Sequence, residues 1–314
     1  MCPESPGVKH YFGPAAKNPL TPPGTVEGAG AGSGEEGRTP NGSASGERRT
    51  ACGLPHRQGR PIPPRLRVGR SSPSLVTGPF QISLMAILYH HPICPHSRFI
   101  RLVLGELGLE AELKEERVWE RRREFLALNP AGTTPVLSEE SAPSVPGASV
   151  IAEYLDETRG LALAERRLLP EDPIGRIEVR RLTEWFLGKF DAEVSSFLVT
   201  EKVYKRFMSS AEGGGAPDMA AIRAARANMR YHLKYIGWLL GDRNWLAGPR
   251  MSYADLSAAA VLSSVDFLGD VPWDEDETAR TWYSRMKSRP SFRPLLADRI
   301  AGVTPPAHYP DLDF

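Results

Sequence analysis

Cys94-Pro95-His96-Ser97 places a thiol, an imidazole and a hydroxyl side by side, just ahead of the helically spaced Phe99, Leu102, Val103 and Leu107. A cysteine at the start of a helix meets free backbone N–H groups and the positive end of the helix dipole, both of which stabilise a thiolate. This CxxS pattern could therefore supply a nucleophile at Cys94, with Ser97 as a weaker hydroxyl alternative. The same residues also have a plain structural use, Ser97 as a capping residue of the first turn and Cys94 as a small apolar filler. Metal binding is a third possibility, since His90, His91, Cys94 and His96 stand close together. HHxxCxH lacks a usual ligand spacing and no second cluster follows, so no metal is expected.

The elements that position this motif can be read on either side of it. Met85–Tyr89 has the pattern of a short buried strand and runs into the turn His90–Pro95, after which the helix extends to Gly108. Glu110–Val118 alternates like a strand, Glu120–Leu128 reads as a second helix, and Thr134–Leu137 as a further strand. A fourth strand within Ser138–Gly147 is short and poorly marked. Ser149–Thr158 resumes a helix with Val150, Ile151, Tyr154 and Leu155 as its buried stripe. Beyond the charged, Pro-containing linker Arg159–Pro173, the apolar spacing from Ile174 through Phe207 predicts one long helix that Gly213–Gly215 ends. Met219–Leu240 and the Ala-rich Ala254–Leu268 follow as bundle helices. Ser252 and Asp255 form a capping box, with Met251 and Leu256 as a staple-like pair.

Residues 1–84 differ in kind. They carry 10 basic and 5 acidic residues, against 29 and 33 in 85–314, and 14 Gly and 13 Pro with no Trp. Such a segment cannot bury enough apolar surface to offset its chain entropy, and a disordered extension is expected, one explanation being a start placed too far upstream of a true first residue Met85. Gly32–Gly37 matches GxGxxG without a strand before it or a helix after it and is set aside. No apolar run reaches the length of a membrane span. Three cysteines in 314 residues cannot form a disulfide scaffold, which favours a reducing, cytoplasmic setting. The length suggests more than one core. The expected division is a 1–84 extension, an α/β unit at 85–160, an all-helical unit at 173–290 and a tail at 291–314.

Asn129-Pro130-Ala131-Gly132-Thr133-Thr134-Pro135-Val136-Leu137 resembles the signature loop of glutathione transferases, and the 252–255 capping box falls where that family has its own. The resemblance implies a thioredoxin-like first domain, a helical second domain, a cis proline at Pro135 and a backbone at Thr134 that pairs with glutathione. It also implies an acidic residue and a serine before the third helix to hold the γ-glutamyl group. Gly147 and Ala148 occupy those places. Hydrogen bonds to charged groups contribute about 1.5–3 kcal/mol each, so glutathione binding is expected to be weak or lost, leaving Thr134 and Pro135 vestigial. The alternative is a glutathione-dependent transferase or thiol reductase using Cys94.

Val118–Pro130, Asp270–Trp273, Ser288–Arg299 and Ala307–Phe314 are more specific, and resemble a cell-division branch of this family. That resemblance implies a homodimer without transferase chemistry that binds FtsZ filaments at the division site, shapes them and promotes constriction. Candidate partner-binding residues are Trp119 with Arg121, Arg122 and Arg123; Lys202, Lys205 and Arg206, spaced for one helical face; and the acidic-apolar tail with Asp311, Asp313 and Phe314. Nucleic acid is not expected as a partner, because the folded part is acidic on balance and lacks a basic stripe.

Overall fold

A computed structural model describes residues 86–140 and 142–312. The expected disorder of 1–84, the start at Met85, and Cys2, Cys52, Asp313 and Phe314 lie outside the described residues. The first elements are β1 (Ala86–His90), α1 (Pro95–Leu107), β2 (Ala111–Glu115), α2 (Arg123–Leu128), β3 (Val136–Ser138), β4 (Val145–Pro146) and α3 (Ala148–Arg159). The strands form one sheet in the order β2-β1-β3-β4. β1 runs parallel to β2, with Leu88 beside Leu113, and antiparallel to β3, with Leu88 beside Leu137. A parallel β1–β2 pair needs a crossover, which α1 provides. α1 can lie on the sheet because Phe99, Leu102 and Val103 share its inner face and are fully buried. Gly108 closes α1 at φ 67°, a left-handed C-cap that glycine adopts without penalty.

The helical part comprises α4 (Pro173–Glu184), a π-helical stretch (Trp185–Ser195), α5 (Ser196–Lys202), α6 (Met219–Leu240), α7 (Tyr253–Phe267), α8 (Glu277–Lys287) and the short α9 (Arg293–Leu296). α7 is buried along its whole length, which its alanines and serines permit. Asp255 and Ser252 cap it reciprocally, as the sequence pattern predicts. Apolar residues of β1, α1 and α3 join those of α4 to α8 in one continuous buried cluster. The long helix expected to Phe207 is interrupted by the π stretch and ends at Lys202, where Val203 turns to φ −120°, ψ −65°.

Candidate functional site

Cys94 is the N-cap of α1 and is 9% exposed. The turn between β1 and α1 presents its sulfur to the loop before β3, where Sγ lies 3.9 Å from the Thr134 carbonyl oxygen. The Thr134–Pro135 peptide is cis, as the resemblance implies. Ser97 is fully buried and accepts from the His91 backbone N–H at 3.3 Å, so it fastens the turn in front of the helix. Burial pushes the Cys94 thiol up, but the hydrogen bond and charge of His96, with further bonds from Ser97, outweigh it and hold the thiol below its ordinary value. Burial would lower His96 in turn. Its bond to and attraction by Cys94, together with Asp191 and the Leu187 carbonyl, instead raise it to about 9. One ring nitrogen meets the Leu187 oxygen at 2.9 Å and the other stands 3.9 Å from Asp191. Asp191 accepts from Ser195 at 2.5 Å. Thiol, imidazole and carboxyl thus follow one another from α1 into the π-helical stretch, an arrangement that can activate a sulfur nucleophile. Asp191 was not visible as a partner in the sequence, where it stands far from the CxxS motif and on a segment of helical spacing.

Access to the sulfur is narrow. Tyr204 packs against the small cluster around Ile93. Its ring meets His91 edge-on at 4.9 Å and Trp119 at 5.0 Å, while Trp119 and His91 are 5.7 Å apart. Burial, followed by the negative charges of Cys94 and Asp191, pushes the Tyr204 hydroxyl well above its ordinary range. Trp119, expected near the head of the second helix, lies instead in the 3-10 turn Val118–Glu120, half-buried in this aromatic cluster. The turn follows from Arg121, which adopts a left-handed φ of 47° and delays α2 until Arg123.

The place of a γ-glutamyl anchor is bare of side chains. Gly147 caps α3 at φ 90°, makes no side-chain bond, and a Cβ built there would meet nothing within 4 Å. The Thr134 backbone is present, while Gly147 and Ala148 offer no polar side chain where the resemblance implies an acidic residue and a serine.

The candidate binding residues separate into free and engaged groups. Arg121 and Arg123 are exposed. Arg122 is held bidentate by the buried Glu116, at 3.2 and 2.5 Å. Lys202 bonds the Leu268 carbonyl at 2.8 Å and Asp270 at 2.6 Å, and Lys205 pairs with Glu201 at 2.5 Å. Arg206 reaches the Gly302 carbonyl at 2.7 Å. These last three do not share one helical face, because α5 ends at Lys202 and a 3-10 turn carries Lys205 and Arg206. They tie the helical part to its own loops. Asp311 is exposed, two residues beyond a fully buried Tyr309.

Residues 88–164 match the family "Glutathione S-transferase, N-terminal domain". FtsZ-localized protein A of Caulobacter vibrioides is 48% identical over 236 residues, 74% of this chain and 100% of that protein. A glutathione S-transferase of Sinorhizobium meliloti 1021, known from its crystal structure, is 56% identical with a TM-score of 0.72, covering 73% of this chain and 100% of the other. The structure of FzlA from C. crescentus superposes with a TM-score of 0.67 at 48% identity over the same shares. With the cis-proline loop, the α7 capping box and the thioredoxin-like sheet in place, this chain belongs to the family of FtsZ-localized protein A, a branch of the glutathione S-transferase fold.

Proposed function

We propose that this chain is a non-catalytic homodimer that binds FtsZ filaments at the division site in the cytoplasm, sets their curvature and promotes constriction. The observation that carries the reading is the similarity, over 74% of this chain and the whole of the relative, to a protein named for its localisation with FtsZ, in a chain with Gly147 and Ala148 where a glutamyl anchor is expected. The burial of Cys94, 9% exposed, agrees with a scaffold that docks rather than reacts. A face for a second copy is offered by Ile174 and Ile177 of α4, 76% and 62% exposed, beside Trp238 of α6, 71% exposed. Arg181 joins the two helices through Tyr235, on which Trp238 stacks.

Co-sedimentation of the full chain with polymerised FtsZ tests the reading. The chain pellets with filaments, and Arg121→Glu with Arg123→Glu weakens this by about tenfold, as opposing charges in an interface do. A chain that stays in the supernatant at micromolar concentration, with normal division in cells lacking it, removes the proposal.

The sulfur geometry favours a second reading, a glutathione-dependent transferase or thiol reductase using Cys94. Its test is disulfide exchange. Activity that is lost in Cys94→Ser would establish it; retention on immobilised glutathione would specify the thiol.

A further inference from the structure

α1 carries Cys94 at one end and Glu106 near the other, about 18 Å along the axis at the ordinary rise of a helix. Around Glu106 lies a cavity of about 370 Å³ with apolar walls from Leu163, Trp245 and Met251 and a rim that includes Arg166, Arg250 and Arg289. The charge of Arg289 is matched, since its guanidinium holds Glu106 through two bonds of 2.6 Å, to which Ser291 adds a third. Arg250 gives a bond only to the Glu165 carbonyl, at 3.0 Å. Arg166 and Arg250 are exposed, and among the described residues neither has a carboxylate within ion-pair distance. Arg285 lays its guanidinium 3.9 Å over the Trp245 ring centre and donates to the Asn244 carbonyl; among the described residues no carboxylate lies within ion-pair distance of it, although the charge of Asp255 acts on it. Arg285 also lines a second hollow of about 440 Å³ with Leu240, Trp282, Arg243 and the acidic Glu277. Arg122, Arg159, Arg180 and Arg181 each face a carboxylate, whereas Arg121 and Arg123 are, like Arg166, Arg250 and Arg285, without a carboxylate within ion-pair distance among the described residues.

Unmatched guanidinium groups around an apolar floor present forks suited to carboxylates and a stacking surface between them. Two hollows, one lined by Trp245 and the other by the Arg285 stacked on it, suit an extended segment that crosses from one to the other. We propose that this groove binds an acidic peptide segment of a partner protein, its carboxylates taken by Arg166, Arg250 and Arg285 and an intervening apolar side chain laid against Trp245 and Met251. Glu165 lines the same cavity and opposes such a ligand, which makes it a diagnostic position. The groove shares no residue with the FtsZ reading and stands without it.

The experiment is fluorescence anisotropy of the full chain with a fluorescein-labelled acidic hexapeptide, Glu-Asp-Phe-Glu-Leu-Asp, and its amide counterpart Gln-Asn-Phe-Gln-Leu-Asn. The acidic peptide binds saturably, and the amide peptide binds about tenfold more weakly or worse. Arg166→Gln with Arg250→Gln lowers affinity by about tenfold, Glu165→Gln raises it severalfold, and Arg121→Glu with Arg123→Glu leaves it unchanged. No binding, equal binding of both peptides, or undiminished binding by the groove variant overturns the proposal. So does displacement by inorganic phosphate as effective as by unlabelled peptide, which would reveal a small-anion site only.

Discussion

Asp255→Ala should destabilise the fold by about 3 kcal/mol, more than the loss of an exposed helix cap, because this carboxylate is the buried junction of three segments. One oxygen accepts from the Leu246 N–H at 3.0 Å and from the Trp282 indole at 3.1 Å; the other accepts from the Ser252 N–H at 3.0 Å and its hydroxyl at 3.2 Å. Removing it orphans three buried N–H donors, each at about 1–3 kcal/mol. Part of that is offset. Burial holds Asp255 up at about 6 from 3.8, so an ionised carboxylate there carries a strain of about 3 kcal/mol that alanine relieves. The orphaned donors outweigh the relief. Ser252→Ala, which deletes only the hydroxyl bonded to Ala254 N–H and Asp255, is the comparison and should lose about 1 kcal/mol. Urea-unfolding midpoints measure both. Equal losses would show that Asp255 acts as a cap alone, with no tie to Leu246 and Trp282.

Asp255 also marks how far the sequence could be read. The capping box was legible because its partners lie three residues apart, and a local rule fixes both ends. The sheet, α1, α3 and α6 were legible for the same kind of reason: their apolar periods and caps are local. Cys94 and His96 were visible as a motif, while Asp191 and Tyr204 were not, since a triad completed through tertiary packing leaves no spacing in the chain. Ile174 and Ile177 illustrate the converse limit. Their spacing marks a helix together with the buried Leu182, yet both face outward, as apolar residues on a helix do where another surface can cover them. Trp119 was expected to point at a partner from a helix. It folds inward because Arg121 takes a left-handed turn that no residue-type rule announces at arginine. Lys202 and Lys205 looked like a free basic face only because their carboxylates, Asp270 and Glu201, could not be paired with them from spacing alone.

Acid should unfold this protein earlier than its carboxylates require, through His90 and His91 at the end of β1. Both are 5% exposed. Burial first, then the positive charges of Arg101 and Arg98, lowers His90 from 6.5 to about 3 and leaves its Nδ1 without a hydrogen-bond partner. Burial lowers His91 to about 4, with His90, Arg117 and Arg98 acting in the same direction and Asp298 against it. In the unfolded chain both protonate near 6.5, so below that value the unfolded state holds two more protons and stability falls with pH. At about pH 5 each histidine removes about 2 kcal/mol, while protonation of Asp255 and of His96, whose folded values are the higher ones, returns about 1 kcal/mol each, for a net loss of about 2 kcal/mol relative to about pH 7. Asp191 and Asp266, also raised by burial, act in the sense of Asp255. His96 acts against the other two histidines. Its stabilisation, from a value raised to about 9, is complete below 6.5 and is lost progressively as pH rises from there through 9, so acid restores the small part already missing at about pH 7. Equilibrium unfolding in urea across the acid range gives the slope. His90→Gln with His91→Gln changes the absolute stability by an unknown constant but should flatten the slope by more than half; a double variant that keeps the full slope would assign the acid transition to the carboxylates instead.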